Sequence, residues 1–301
     1  MRKDKGVFPV KIGIVGTGYW GSKLLSELKY LRDNTDDVSD IIAFDFNPNN
    51  RVEDIQYISD IHEFIEESDG VIIALPTELH FDYAKRCLWA GVPTFVEKPI
   101  ALKSSEAKEL IKYSMHSNTV LCVGHIYRYN HMVKKLAEFV ENSHKIYYAR
   151  FEWGVKADFE DRDLAFDLLP HIVDMILEIF DSDDVTIIGA IEKDGVLSAT
   201  LSAAGVICEV HIDWRNPVKT REVTIVADDC HFTAEVVKQE GIKKYTNGDS
   251  KVVEAKNNAM LDEIIAFVAA IKGHANLDNS GFAGWKTVEI IEEIKRRVEN
   301  V

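Results

Sequence analysis

A lysine with a restricted backbone is the first candidate for chemistry in this sequence. In PTFVEKPIAL, residues 93–102, Glu97 and Lys98 follow a short apolar run and Pro99 ends it. Because the residue before a proline is held extended, the position of Lys98 is restricted. A lysine beside a cleft can donate a hydrogen bond to a hydroxyl group, or help to remove its proton when burial lowers the lysine pKa. The alternative is a solvated ion pair at a strand end, and this segment alone leaves both open.

The stretch DLLPHIVDM contains a possible proton acceptor. Asp167, His171 and Asp174 are spaced four and three residues apart, so in a helix they share one face. Because proline is tolerated in the first turn of a helix, the helix is predicted to begin just before Pro170. His171 would then lie near the helix N-terminus, where the dipole disfavours imidazolium and leaves a neutral ring able to accept a proton. The alternative is a buried histidine with satisfied hydrogen bonds in an apolar helix.

A third polar cluster, VGHIYRYNH, follows another apolar run. Its polar and aromatic members are His125, Tyr127, Arg128, Tyr129, Asn130 and His131. The cluster could bind an oxygen-rich ligand, or it could be a crossover between domains that carries polar surface residues.

A glycine pattern would hold a cofactor next to these groups. GIVGTGYWGSKL contains G-x-G-x-x-G directly after a predicted strand and at the start of a predicted helix. In that context the glycines permit a tight turn, close approach of a pyrophosphate and close packing of helix on strand, and the helix N-terminus supplies N–H donors. The predicted contacts in this loop are Gly16, Thr17, Gly18, Tyr19, Trp20 and Gly21. A tight turn without a ligand is the alternative.

An acid at the end of the next predicted strand supports a dinucleotide site. Asp45 lies 24 residues after Gly21, near the ~20 expected for the carboxylate that binds the ribose hydroxyls. It would repel a 2′-phosphate, and no arginine follows in Phe46, Asn47 and Pro48, so NAD is favoured over NADP. Further cofactor contacts are predicted where the following strands end, at Leu75, Pro76, Thr77, His80, Glu97 and Lys98.

The elements behind these groups alternate in the first 125 residues. Strands are predicted at 10–15, 41–45, 70–75, 94–97 and 119–124, and helices at 22–31, 60–67, 78–90 and 104–116. Short apolar strands without alternation are typical of a parallel sheet covered on both faces. The order of strand and helix therefore predicts an α/β Rossmann domain, a doubly wound parallel sheet that binds NAD, over residues 1–125.

Residues 126–301 have a different pattern. Strands are predicted at 151–155, 185–191, 197–203, 206–214 and 221–228, and helices at 166–180, 259–272 and 284–298. Apolar and polar residues alternate in 206–214, which is typical of a sheet with one covered face. We therefore predict an α+β domain on a largely antiparallel sheet over 126–301, whose terminal helices could pack back on the first domain.

Composition excludes several function classes. The chain of 301 residues is long enough for two domains, and 35 basic against 50 acidic residues give a net charge of −15. This argues against nucleic acid or a membrane as the main partner and leaves a small molecule. The four cysteines form no CxxC pair and the histidines show no metal spacing, so no metal is predicted. The absence of a signal peptide and of a long apolar run predicts a cytoplasmic protein.

Together these segments resemble the glucose–fructose oxidoreductase, inositol dehydrogenase and MocA (Gfo/Idh/MocA) family. The carriers, in the family's order, are GIVGTGYWG at 13–21, ALPTELH at 74–80, AGVPTFVEKPIAL at 90–102, VGHIYRYN at 123–130 and DLLPH at 167–171. The resemblance spans essentially the whole chain, and EKP after a strand is its most specific item. It implies a Rossmann domain followed by an open-faced sheet domain that binds substrate and forms a homodimer or homotetramer.

The resemblance also implies an activity. It implies an NAD(P)-dependent dehydrogenase that transfers hydride between nicotinamide and a secondary hydroxyl or carbonyl of a sugar, cyclitol or nucleotide sugar. Lys98 matches the family's catalytic lysine, and Asp167 and His171 match its D-x-x-x-H pair. The implied substrate contacts are Lys98, His125, Tyr127, Arg128, Asp167 and His171. DLLPH with VGHIYRYN favours UDP-linked amino sugars, and the bond before Pro99 is expected to be cis.

Two departures and several alternatives accompany this resemblance. His131 stands where relatives often have proline, and the chain is shorter than many members, so substrate loops could be trimmed. A non-catalytic nicotinamide-binding regulator of the same fold is the competing class, and the presence of Lys98, Asp167 and His171 favours the enzyme. Reduction of another carbonyl or an imine in the reverse direction stays open. So does the question of which group, Lys98 or His171, is the formal base.

Overall fold

Apolar strands that alternate with helices give the first part of the chain a parallel sheet.

The computed structural model of this chain describes residues 9–156, 163–274, 277 and 279–298. The chain divides into two units, one of Met1–Ile126 with Met260–Val288 and one of Tyr127–Ala259 with Glu289–Val301. The predicted spans differ from this division in Met260–Val288, which belongs to the first unit. Residues 1–8, which bear on the prediction about a signal peptide, lie outside the described residues.

The first unit contains a six-stranded sheet. Its strands are β1 (Val10–Val15), β2 (Val38–Phe44), β3 (Gln56–Tyr57), β4 (Gly70–Ile73), β5 (Thr94–Val96) and β6 (Leu121–Val123), and its helices include α1 (Tyr19–Asn34), α2 (Ile61–Glu67), α3 (His80–Trp89) and α4 (Ser104–Ser117). The order is β3-β2-β1-β4-β5-β6 and every pair is parallel. The order reverses between β1 and β4, and ligands of open α/β sheets bind outside the strand ends at such a point.

The strands of this sheet are apolar on both faces. Ile12, Ile14, Ile72 and Phe95 are fully buried, and they share one core cluster with buried leucines of α1 such as Leu28. This is why the strands read as continuous apolar runs in the sequence rather than as alternating ones.

The second unit contains an eight-stranded sheet. Its strands are β7 (Ile146–Gly154), β8 (Val185–Lys193), β9 (Val196–Ala203), β10 (Val206–Asp213), β11 (Thr220–Ala227), β12 (Cys230–Glu235), β13 (Glu240–Tyr245) and β14 (Ser250–Glu254), and its helices include α5 (His131–Asn142) and α6 (Leu164–Ile179). The order is β14-β13-β12-β11-β7-β10-β9-β8, and β7 with β10 is the parallel pair in it. The predicted fold class, a Rossmann sheet followed by a largely antiparallel sheet, is confirmed.

One face of this second sheet is covered. Phe151, Trp153 and Ile212 are fully buried and share a core cluster with Leu169 and Ile172 of α6. On β10 the residues between the buried ones, Ile207 to Asp213 in steps of two, are exposed or half-buried. The alternation in the sequence therefore predicted the covered face correctly.

Two helices, α7 (Ala259–Ile271) and α8 (Gly281–Val298), end the described chain. Within the described residues, no helix combines the length and apolarity that crossing a membrane requires. All four cysteines are free and buried.

Candidate active site

The glycine turn has the shape that a dinucleotide requires. Gly16 has a φ of 89°, and a Cβ on it would lie 2.7 Å from the carbonyl oxygen of Ala74. A Cβ on Gly21 would lie 2.0 Å from the Gly16 oxygen, so helix and turn touch backbone to backbone there. A Cβ on Gly18 would approach nothing nearer than Asn50 Nδ2 at 3.8 Å. The turn is thus closed at its first and third glycines and open at the second, as backbone approach to a pyrophosphate demands.

The remaining residues of this loop differ in exposure. Thr17 is buried, Tyr19 is exposed and Trp20 is half-buried. Lys23 Nζ donates to the Tyr19 hydroxyl at 3.0 Å and lies 4.2 Å above its ring. α1 begins at Tyr19 with Gly18 as its N-cap, and its first turn holds no acidic side chain. The first turn of α1 itself therefore presents no like charge to an anion at the helix N-terminus.

Asp45 is bound to the glycine turn. Its Oδ2 accepts the Thr17 backbone N–H at 2.6 Å, and its Oδ1 accepts the Asn47 N–H at 2.7 Å. Partial burial alone would raise the pKa of Asp45, but these N–H donors and the Asn50 amide outweigh burial and lower it. Asp45 is therefore a carboxylate at neutral pH and offers only acceptors to a ribose. Asn50 was missed in the sequence, because nothing local distinguishes it from an ordinary loop residue.

The predicted contacts after β4 lie at the strand end. Leu75 and Thr77 are half-buried and Pro76 is exposed. His80 is fully buried, with Nε2 2.8 Å from the Leu75 oxygen and Nδ1 2.7 Å from the Pro99 oxygen. Burial lowers the pKa of His80, although both carbonyls favour the protonated ring. Its side chain thus ties the end of β4 to the segment that carries Lys98.

Glu97 and Lys98 follow β5 directly, and they do not form a solvated strand end. Glu97 is buried and Lys98 is half-buried, and the Lys98–Pro99 peptide bond is cis. Glu97 Oε1 accepts the Trp20 indole N–H at 2.6 Å. Burial raises the pKa of Glu97 to about 7, although this N–H and the nearby Lys98 lower it. The glycine loop and the predicted catalytic lysine are thus linked inside the first unit.

The predicted start of the helix carrying His171 was wrong. α6 begins at Leu164, and Asp163 caps it by accepting the Phe166 N–H at 3.1 Å. Pro170 is therefore inside the helix, and His171 is a full two turns from its start. Because the dipole acts within the first turn, it does not explain a neutral His171. Asp167, in the first turn, and His171 are both half-buried.

The cluster after β6 divides into residues with different surroundings. His125 is buried, whereas Tyr127 and Arg128 are half-buried. The Tyr127 ring stands edge-on to the His171 ring, with centroids 5.3 Å apart and planes at 85°. Burial raises the pKa of Tyr127 to about 12, so its hydroxyl keeps its proton at neutral pH. The second unit thus brings together Tyr127 and His171, two of the residues that the resemblance implies as substrate contacts.

Arg128 is directed at carboxylates of α6. Its Nε donates to Asp174 Oδ1 and its Nη1 to Glu178 Oε2, both at 2.8 Å. Burial raises the pKa of Asp174 to about 6, against the lowering effect of Arg128. Glu178 was missed in the sequence, although it lies four residues after Asp174 on the same helical face.

A second arginine, which interacts with Tyr127, was also missed. Arg221 Nη1 donates to the Gly154 oxygen at 2.9 Å and the Thr220 oxygen at 2.8 Å, and the guanidinium lies 5.2 Å from the Trp153 ring centre. Burial lowers the pKa of Arg221, while a hydrogen bond to Tyr127 and the charge of Asp167 raise it. No local pattern in β11 predicts this position, because the partners come from distant segments.

The site now has a parallel in known proteins. Residues 10–125 match the family model described as an oxidoreductase family with an NAD-binding Rossmann fold, GFO_IDH_MocA. With the open glycine cradle, this defines an oxidoreductase that uses a nicotinamide cofactor, and the prediction of an enzyme is confirmed. Residues 10–125 thus match the Gfo/Idh/MocA family, and relatives from that family are similar beyond this region. The non-catalytic regulator, the alternative from the sequence, is not favoured.

Relatives resemble the chain along most of its length. UDP-N-acetylglucosamine 3-dehydrogenase of Acidithiobacillus ferrooxidans is 25% identical over 262 residues, which cover 79% of this chain and 82% of the relative. Myo-inositol 2-dehydrogenase of Thermotoga maritima is 24% identical over 299 residues, covering 87% and 88%. The solved structure of the Acidithiobacillus ferrooxidans enzyme, GnnA, superposes with a TM-score of 0.85 at 22% identity, over 98% of this chain and 99% of that one. This last similarity establishes the fold.

Proposed function

We propose that this enzyme transfers hydride between NAD and a secondary hydroxyl of a UDP-linked N-acetylated amino sugar. The observation that carries the proposal is the similarity to UDP-N-acetylglucosamine 3-dehydrogenase, which extends through both units of the chain. The half-buried Tyr127, His171 and Asp167 support a polar substrate, because they offer hydrogen-bonding groups beside aromatic surface.

Three side chains have roles in this proposal, which follows the family resemblance. His171 takes the proton of the reacting hydroxyl, and general-base assistance of this kind contributes roughly 10²- to 10⁴-fold in rate. Lys98 donates a hydrogen bond to the same oxygen and stabilises its developing charge. Asp167 orients the substrate or His171. When bound, the nicotinamide cofactor supplies the acceptor or donor of hydride.

NAD rather than NADP is the cofactor we propose. The Asp45 carboxylate would accept from the ribose hydroxyls and repel a 2′-phosphate. Its lowered pKa supports this role, because the group stays charged at neutral pH. The residues after it, Phe46 to Pro48, provide no cation for an extra phosphate.

Oligomeric state and location are further parts of the proposal. Ile188, Ile207 and Ile242 are exposed on the second sheet, which supports a homodimer or homotetramer formed through that sheet. Size-exclusion chromatography with light scattering tests this oligomeric state, and a monomer at micromolar concentration would contradict it. A cytoplasmic location, and a small molecule rather than nucleic acid or membrane as partner, stay predictions from composition.

The test is an assay of NAD and NADP reduction with UDP-N-acetylglucosamine, UDP-glucose, myo-inositol and glucose 6-phosphate. We expect turnover with NAD and UDP-N-acetylglucosamine. Lys98→Ala and His171→Ala should each lower kcat by at least about a hundredfold. Lys103→Ala and His62→Ala are matched controls, since both side chains are exposed. No turnover with any of these compounds despite measured NAD binding, or full turnover by either site variant, would contradict the proposal.

A further inference from the structure

A buried carboxylate joins the glycine loop to the strand end that carries Lys98. Glu97 is 7% exposed, and both of its oxygens have partners. Oε1 accepts the indole N–H of Trp20 at 2.6 Å, and Oε2 accepts the backbone N–H of Lys98 at 3.2 Å. Trp20 belongs to the first turn of α1, two residues after Gly18. Residues 77 apart in the chain are thereby held together at the two segments where cofactor and substrate chemistry are expected.

A glycine on the neighbouring strand leaves room for this carboxylate. Gly124 follows β6, and its N–H donates to the Val96 oxygen at 2.8 Å. A Cβ on Gly124 would lie between 2.8 and 3.0 Å from the carboxyl atoms of Glu97. Such distances require a shift of the side chain or the strand, so another residue at this position would displace Glu97. The arrangement therefore depends on three segments of the first unit, around Trp20, Glu97 and Gly124.

The group that accepts the Trp20 indole N–H is the ionisable carboxyl group of Glu97. A neutral amide oxygen would accept the same hydrogen bond. Burial raises the pKa of Glu97 to about 7, and Lys98 is among the groups that lower it. The charge of Glu97 therefore changes near neutral pH within reach of Lys98. This makes the ionisation of Glu97 a reporter for the environment of the lysine.

We infer that Glu97 is a positioning residue, which fixes Lys98 relative to the glycine loop through its hydrogen bond with Trp20. The inference rests on the proposed role of Lys98 and gives the Trp20 side chain a role besides cofactor contact. Since a misplacement of about 1 Å at a reacting group can cost about a hundredfold in rate, the link should affect kcat at saturating NAD.

Four variants separate the hydrogen bond from the charge. Trp20→Phe removes the N–H donor and keeps an aromatic ring, and Glu97→Ala removes the acceptor. Glu97→Gln keeps an oxygen for the indole and removes the charge. Trp89→Phe is the matched control, since Trp89 is 70% exposed on α3. Thermal unfolding of each variant shows whether it is folded.

The kinetic measurement uses UDP-N-acetylglucosamine and saturating NAD. Trp20→Phe and Glu97→Ala should lower kcat between about tenfold and about a hundredfold with little change in the substrate KM. Glu97→Gln should restore most of the kcat lost in Glu97→Ala. A wild-type kcat in Trp20→Phe at saturating NAD would overturn the inference. A loss of rate that is seen only at low NAD concentration would also overturn it, because it would indicate weaker cofactor binding. So would equal losses in Glu97→Gln and Glu97→Ala, since the charge alone would then explain the effect.

A second measurement requires no substrate, so it separates this inference from the proposed function. Lysines are dimethylated with ¹³C-formaldehyde, and the Lys98 signal is assigned by its absence in Lys98→Arg. In the wild type its chemical shift should change with a midpoint at the Glu97 ionisation near pH 7. This step should vanish in Glu97→Gln, and in Trp20→Phe the signal should move or broaden. A Lys98 signal that is identical in all variants would overturn the inference, even if no sugar is turned over.

Discussion

The Nε of Arg128 donates to Oδ1 of Asp174 at 2.8 Å. The two side chains are only 11% and 1% exposed. This ion pair connects the segment after β6 to the helix that carries His171, which lies three residues before Asp174. If one of the two side chains is removed, the other stays buried without this partner. Removing one member of a buried pair therefore lowers stability by more than the intact pair contributes to it.

Asp174→Ala is expected to lower the free energy of unfolding by about 1.5–3 kcal/mol, which is typical of a lost hydrogen bond to a charged group. The reason is that the largely buried guanidinium of Arg128 loses one of its two carboxylate partners on α6 and keeps Glu178. Urea unfolding followed by circular dichroism measures this. The control is Glu138→Gln, which breaks the exposed pair with Lys135 and should change stability by less than about 1 kcal/mol. Equal losses in the two variants would contradict the prediction.

Arg221→Met is expected to lower kcat by about tenfold to a hundredfold. The guanidinium binds the Gly154 oxygen and Tyr127, and the Tyr127 ring contacts the His171 ring, so its loss should loosen the surroundings of His171. Arg221→Lys keeps the charge but lacks the planar fork, and it should fall between wild type and Arg221→Met. Steady-state kinetics measure both. Arg215→Met, at an exposed position, is the control, and equal activity of the two methionine variants would refute this role.

Much of the first unit follows from local patterns in the sequence. Apolar runs and the glycine spacing mark the strand before Gly16 and the helix after it. In the structure the apolar residues form a shared core, and the glycines allow close backbone contacts. The short strand β3 and the strands β12 to β14 were missed. The residues of β3, β13 and β14 are largely exposed or half-buried, so the apolar signal that identifies a strand is weak there. In β12 buried residues alternate with more exposed ones, but the strand is only six residues long.

The position of Pro170 shows where local reasoning failed. A proline inside a helix removes a hydrogen bond and costs roughly 3 kcal/mol, which is why the helix was predicted to begin just before it. α6 begins at Leu164, with Asp163 as its cap, and most of its residues are buried. Burial of several large apolar side chains, each contributing about 1.5–3 kcal/mol, outweighs the cost of the proline. The start of α6 is therefore decided by tertiary packing and not by the local effect of Pro170.

The contacts that organise the site were beyond sequence reasoning for another reason. Trp20 with Glu97, and Arg128 with Asp174, are 77 and 46 residues apart in the chain. Periodicity and turn signals act over a few residues and say nothing about such pairs. The candidate residues were therefore predictable as types in motifs, whereas their partners required the fold.

Asp45→Asn is expected to lower the ratio of kcat/KM for NAD over NADP by at least about tenfold. The amide is nearly isosteric and can still accept the Thr17 N–H, but it lacks the negative charge that would repel a 2′-phosphate. Kinetics with both cofactors measure the ratio. Glu66→Gln removes an exposed charge from α2 and should leave the ratio unchanged. A wild type that prefers NADP would exclude the proposed function of Asp45 directly.

The stability of the enzyme should fall as pH rises from about 4.5 to about 7, in part because of Glu97. Its pKa is raised to about 7 in the folded protein, whereas the unfolded chain releases the proton near the ordinary value. Between these values the folded state binds more protons than the unfolded state, so its stability decreases with pH. One group of this kind accounts for up to about 3 kcal/mol. Urea unfolding of the wild type and Glu97→Gln at pH 5, 6, 7 and 8 measures the difference. The variant lacks this ionisation, so it should gain stability relative to the wild type as pH rises. Parallel curves for the two proteins would show that Glu97 does not titrate in this range.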